Sequence, residues 1–159
     1  MTSKSKNLSR KKAIQSALLL PESERTMSTP CLIGITSKNE PYNLKIRSIY
    51  CHWDGDTDYM VPILTTSYNS KEKAEALIAL GSISSLGNKI APTGDNHTFD
   101  HPEDDTTVAY VRDRGEEWDD NKPLDYDTKR EFATHFDYGY IFDIDSNQWL
   151  IYQYGRRKK

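Results

Sequence analysis

Apolar and polar positions alternate most clearly in "YGYIFDI" (138–144) and "QWLIYQY" (148–154). In an extended chain Tyr138, Tyr140, Phe142 and Ile144 share one side. Trp149, Ile151 and Gln153 likewise fall opposite Leu150, Tyr152 and Tyr154. The "DSN" between the two runs predicts a hairpin. The same period of two marks "CLIGITS" (31–37) and "NLKIRSIYC" (43–51), which "KNEPYN" can join as an antiparallel pair. In the second run Leu44, Ile46, Ser48 and Tyr50 oppose Lys45, Arg47, Ile49 and Cys51.

Helical spacing takes over after Gly55. Asp56 or Asp58 can cap a helix with Met60, Ile63, Leu64 and Ser67 on one side, and Pro62 fits if it lies in the first turn. Ser70 caps "KEKAEALIAL", whose stripe is Ala74, Leu77 and Ile78 and whose stop is Gly81. "GSISSLGNK" reads as a turn or a very short helix, and Thr106–Val111 as a strand. Asp127 can cap a helix from about Thr128 to Phe136, with Phe132 and Phe136 inward. These elements predict an α+β fold: a mainly antiparallel sheet of about five strands with helices packed on one face.

The 159 residues suit a single domain over 27–155. A flexible basic extension, 1–26, precedes it, with an amphipathic helix predicted over Ser9–Leu20, and a basic tail, 156–159, follows. Met1–Arg25 holds six Lys/Arg against two Glu, whereas Asp95–Asp127 holds twelve Asp/Glu against three Lys/Arg. A negative middle therefore lies between positive ends, and a basic partner suits it better than nucleic acid does. Two cysteines in no CxxC pattern fit a reducing compartment, and no apolar run is long enough for a bilayer.

Two stretches hold the candidate chemistry. "YCHWDGD" places His52, Trp53, Asp54 and Asp56 at the end of a strand. Adjacent Cys51 and His52 point oppositely in a strand, which disfavours a nucleophile–base pair. "VRDRGEE" offers Arg112 and Arg114 as forked donors beside Glu116. The long polar segment "APTGDNHTFDHPEDD" (91–105) adds His97 and His101, and a loop of this length is a reason to expect a ligand or partner role. Neither histidine group has the spacing of a metal motif, and no phosphate loop, dinucleotide fingerprint or nucleophile elbow occurs, so no metal or cofactor is assigned.

"IYCHWDG" (49–55), "ILTTSYNSKEKAEALIALGSISSLG" (63–87), "YVRDRGE" (110–116) and "FDYGYIFD" (136–143) together resemble a family of small bacteriophage- and prophage-encoded proteins of unassigned activity. Members commonly carry Tyr where Asp56 stands here, and begin near "MSTPCLIGI", which makes 1–26 an added segment. The resemblance implies a viral accessory protein in a host cytoplasm, binding a host protein or countering a host defence; it supplies no catalytic residues, and a non-enzymatic binding protein is favoured. Trp53, Asp54, Arg112, Arg114 and Glu116 are its expected recognition residues, with His52, Asp56, His97 and His101 as secondary candidates. The rival reading is a module that sequesters a nucleotide or other small molecule, or a metal-assisted hydrolase. It would place Arg112 and Arg114 on phosphate and His52 and Asp54 on ligand or metal.

Overall fold

A computed structural model describes residues 28–158. The helix expected over Ser9–Leu20 lies outside the described residues. One mixed sheet organises the rest. Strand β1 (Cys31–Thr36) is buried along its whole length. It pairs antiparallel with β2 (Ile46–Cys51) on one side and parallel with β6 (Tyr138–Asp143) on the other. Beyond β6 come β7 (Gln148–Gln153) and β8 (Arg156–Lys158), both antiparallel. Beyond β2, the sheet divides. Short β5 (Leu124–Tyr126) runs along the first half of β2, while β3 (Ile83–Ser85) meets its end at Cys51 and passes the sheet on to β4 (Val108–Ala109).

The α+β class holds, but the sheet has eight strands and mixed directions, not about five that are mainly antiparallel. The extra strands are two or three residues long, too short to display a period of two. "GSISSLG" supplies β3 instead of a turn, and the basic tail supplies β8. Thr106–Val111 is strand only at Val108–Ala109, then turns into helix. Asn43 and Leu44 sit at φ 52° and 70°, so β2 starts only at Ile46 and Leu44 projects into solvent.

Alternation divides the core between two faces. Cys31, Ile33, Ile35, Ile49, Cys51, Tyr140 and Phe142 form one, beneath α1 (Thr57–Ser67) and α2 (Lys71–Ile78). As the sequence suggests, Met60, Ile63 and Leu64 are buried in α1, and Ala74, Leu77 and Ile78 in α2. Ser70 caps α2 by accepting from Lys73 N–H, and Gly81 follows at φ 78°. Asp56 is the N-cap residue of α1, so Pro62 lies past the first turn and the Asp58 carbonyl loses its intrahelical donor.

The opposite face is also covered, contrary to the expectation of helices on one side only. Leu32, Ile46, Ile141, Leu150 and Tyr152 lie under α5 (Lys129–Ala133). Thr128, not Asp127, caps this helix through a 3.0 Å bond from Glu131 N–H, and the helix ends before Phe136. Its Phe132 ring occupies a recess made by two glycines. A Cβ on Gly139 would lie 2.8 Å from the ring, and one on Gly34 would lie 3.1 Å from it and 2.6 Å from Ile46. The missing side chains allow a short helix to bury one large ring flat against the sheet.

Gly139→Ala is accordingly expected to destabilise the protein by about 1–3 kcal/mol through overpacking. Combining it with Phe132→Leu should cost less than the sum of the two single changes. Urea unfolding of the three variants measures both effects; simple additivity would dissociate the glycines from the ring.

Candidate functional site

The ends of β2, β3 and β4 form a corner of the sheet onto which both chemistry-bearing stretches fold. His52 N–H donates to Ile83 O and Trp53 N–H to Ser84 O, extending the β2–β3 contact by two residues. Asp54 follows at φ 58°, exposed, with Gly55 pressed so close to Thr29 and Cys31 that a Cβ there would lie 2.5 Å from Thr29 O. Although the residue is exposed, partial desolvation by its neighbours and then the nearby Asp56 push the Asp54 carboxyl above its ordinary range. His52 is buried, with Nδ1 2.7 Å from the Tyr50 hydroxyl, and burial lowers its pKa, favouring the neutral ring. Its ring stands edge-on to half-buried Trp53 at 4.6 Å between centroids.

Cys31 and Cys51 face one another across β1 and β2, both buried and both free. Burial raises the Cys31 thiol well above its usual range, and Cys51 Sγ–H points to Trp53 O at 3.4 Å. Neither has the exposed, electropositive setting that a reactive thiolate needs.

The second stretch forms α3 (Tyr110–Arg114), then Gly115 at φ 73°, then α4 (Trp118–Asn121). In a strand, Arg112 and Arg114 would share a side. On a helix they diverge by roughly 200°, and their surroundings differ accordingly. Arg112 turns back onto the long loop. Its Nη1 donates to Ile90 O at 2.6 Å, its Nη2 to Thr107 O, and its Nε to Asp113 at 2.9 Å. Asp113 also accepts from Ala109 N–H at 2.8 Å, and its Oδ1 lies 3.3 Å from His97 Nε2. Burial pushes the Asp113 carboxyl up, but Arg112, the Ala109 N–H and His97 together outweigh it and hold it below its ordinary range.

This group anchors the long loop. His97 Nδ1 accepts from Glu103 N–H at 3.0 Å, which leaves the ring proton on Nε2. That N–H is buried beside Asp113 but too misaligned for a full hydrogen bond. Glu103 gathers Lys89 Nζ, Thr93 N–H and Gly94 N–H, in that order of effect, and its carboxyl falls far below the usual range. Asp105 binds the Asn88 backbone and side-chain amides. Thr107 Oγ1 accepts from Gly87 N–H at 3.0 Å and lies 3.0 Å from the Tyr68 hydroxyl. The expected ligand loop therefore uses His97, Glu103 and Asp105 on its own backbone. His101 remains exposed, bound only through its main chain to Thr98.

Arg114 turns outward. Its guanidinium lies 5.0 Å over the Phe99 ring and 3.4 Å from Glu116. Phe99 in turn contacts Tyr110 at 5.5 Å between centroids. The Tyr110 hydroxyl meets the Ser84 side chain, and its pKa is pushed up to about 12, first by burial. Glu116 also accepts from buried Asn121, whose carbonyl receives Ser82 N–H. Trp53, Ser84, Tyr110, Phe99, Arg114 and Glu116 thus follow one another as a continuous strip. No hydrogen bond or ion pair joins Trp53 or Asp54 directly to the arginines among the described residues; Ser84, Tyr110 and Phe99 bridge the gap. Phe99 and Tyr110 were not singled out from the sequence. A lone Phe in a polar loop was the available signal, because a ring there must find another ring or remain in water.

Among the described residues, no three His, Cys, Asp or Glu side chains gather as a metal site, and no helix is long and apolar enough to cross a membrane. Comparison with protein-family models, curated proteins and solved structures returned no match.

Two outcomes follow for the loop. Arg112→Ala should cost about 1.5–3 kcal/mol from lost charged hydrogen bonds and speed amide exchange across 88–107. In the wild type, depressed carboxyl pKa values mean that Glu103 and Asp113 contribute fully above the ordinary carboxylate range. Their contribution is lost as pH falls through the lowered values. Glu103→Gln should shrink this acid dependence of loop protection, as read by exchange at a series of pH values; an unaltered profile would exclude Glu103 as its source.

Proposed function

We propose that the chain is a phage-type accessory protein that binds and modulates a host protein without catalysing a reaction. Countering a host defence fits this role. The observation that carries the reading is Arg114, with 56% of its side chain exposed, held in place by the Phe99 ring below and Glu116 beside it. Ordering a free arginine on binding costs rotamer entropy, and a guanidinium already seated on a ring loses less. Half-buried Trp53 at the other end of the strip offers an amphipathic ring beside exposed Asp54. An aromatic and an arginine in one strip are the residue types that dominate binding energy at protein interfaces.

The rival site for a nucleotide or a metal would use Arg112 and Arg114 on phosphate and His52 and Asp54 on ligand or metal. His52 is buried against Tyr50, and Arg112 is taken up by Ile90, Thr107 and Asp113. Both are occupied by the protein's own groups, which favours a binding face over a reaction centre.

The test is affinity capture from a bacterial host lysate with the wild-type chain, Arg114→Glu and Trp53→Ala, with folding checked by circular dichroism. At least one partner should bind the wild type and weaken by about 2 kcal/mol, roughly thirtyfold, with either variant. If both folded variants retain every partner undiminished, the strip is not the interface.

A further inference from the structure

A second surface feature begins just beyond Glu116 along the chain and does not depend on the proposed function. A groove of about 380 Å³ opens between the start of β2, α2 and α4. Its walls include Tyr42, Arg47, Glu75, Ile78, Trp118 and Lys122. Arg47 shares the sheet face of Ile49 and Cys51, one step beyond the end of the core beneath α2. Its guanidinium lies 5.2 Å over the Tyr42 ring, with Nε 3.5 Å from Asp125. Its two terminal nitrogens have no acceptor among the described residues, although 39% of the side chain is exposed. The result is a pre-positioned fork of donors facing an open groove, the geometry that suits a carboxylate.

The rest of the lining narrows the class. Lys122 adds a second cation, steadied by Asp119 at 3.1 Å. Trp118 is 43% exposed, while Cζ3 of its indole lies 3.1 Å from the position a Cβ on Gly81 would take, so one edge of the ring is seated against backbone. Buried Ile78 supplies an apolar floor. Glu75, fixed by the Tyr42 hydroxyl at 2.6 Å, lines the groove as well, and Asp119 and Asp125 stand behind the two cations. These three carboxylates outnumber the two cations, so each added negative charge on a ligand is disfavoured; a single carboxylate held by the Arg47 fork adds the least, and a dianion or triphosphate adds more. The volume falls at the small end of the roughly 300–1,000 Å³ typical of ligand pockets, enough for one or two rings.

We infer that this groove is a binding site for a small aromatic monocarboxylate, its ring on Trp118 and its carboxylate on Arg47. Sequence reading singled out neither residue for chemistry.

The experiment is a titration of the ¹⁵N-labelled full chain with phenylacetate, followed by heteronuclear NMR. 2-Phenylethanol serves as the neutral control, and phenyl phosphate as the more highly charged one. The Trp118 Nε1–H and Arg47 Nε–H signals should shift saturably, with millimolar affinity for so small a ligand. The Trp149 Nε1–H signal should stay, because that group is bonded internally to Tyr68 O at 2.8 Å. Arg47→Gln and, separately, Trp118→Leu should each weaken binding at least tenfold while signals elsewhere are preserved. No saturable shift, an equal response to 2-phenylethanol, tighter binding of phenyl phosphate, or undiminished binding by either folded variant would overturn the assignment. A peptide ending in a free phenylalanine carboxylate is the last arm. If it binds tenfold tighter than phenylacetate, the groove's occupant is a protein terminus and not a free small molecule.

Discussion

The Tyr68 side chain and carbonyl tie together parts of the chain that no strand pairing connects. Tyr68 ends α1, and its carbonyl accepts the Trp149 indole N–H from β7. Its buried hydroxyl donates to Gly87 O at 2.7 Å and meets Thr107 Oγ1 from the far end of the long loop. The hydroxyl pair is buried, and a buried hydroxyl stripped of its partners costs about 1–3 kcal/mol. The loop therefore leaves and returns at one hydrogen-bonded point. A Cβ on Gly87 would lie 2.5 Å from the Asp105 backbone, so the two strands of the neck touch directly. With the neck closed, Arg112 can reach both Ile90 and Thr107, and Phe99 can reach Tyr110.

That arrangement separates a loop anchor from a solvent-facing side chain within five residues. Arg112 and Asp113 face the loop and hold it; Arg114 faces solvent and is held by it. The sequence "RDRGE" supplies both because one helical turn points successive charges in different directions. Gly115, at φ 73° with open space around its Cα, then reverses the chain and returns Glu116 to Arg114. The acidic character of 95–127 is accordingly less available than its charge count implies. Glu103, Asp105 and Asp113 are engaged by backbone amides, lysine or arginine, and much of the remaining negative surface gathers around α4.

The parts of the fold legible in the sequence are those long enough to show a period. β1, β2, β6, β7 and α2 each carry their stripe over six or more residues, and Ser70 and Gly81 mark the ends of α2 as capping chemistry dictates. β3, β4, β5 and β8 are two or three residues long, and only neighbours already in place make them strands. The same limit hid the second face. α5 has five residues and one large inward ring, and its seat depends on Gly34 and Gly139, which lie more than a hundred residues apart. For the candidate site, the two quoted stretches fold onto one corner of the sheet, but how Arg112 and Arg114 divide was not legible, because Thr106–Val111 reads as one strand until the helix after Ala109 is seen. Trp118 was present in the same stretch, between two pairs of carboxylates that no apolar core could accept. That flanking marks the ring as exposed.

The three open strands of the sheet, β4, β5 and β8, have different defences, and β5 has only three residues. On one side β4 offers only Val108 and Ala109 before turning into α3. On the other, β8 is wholly exposed and presents Arg156, Arg157 and Lys158 in succession. A second copy approaching that border would bring three cations against three cations, and like charges at an open strand oppose this kind of ribbon extension. Among the described residues, adding strand to strand is thus opposed by brevity at β4 and β5 and by repulsion at β8, which favours the helical and loop surfaces for contact with another chain.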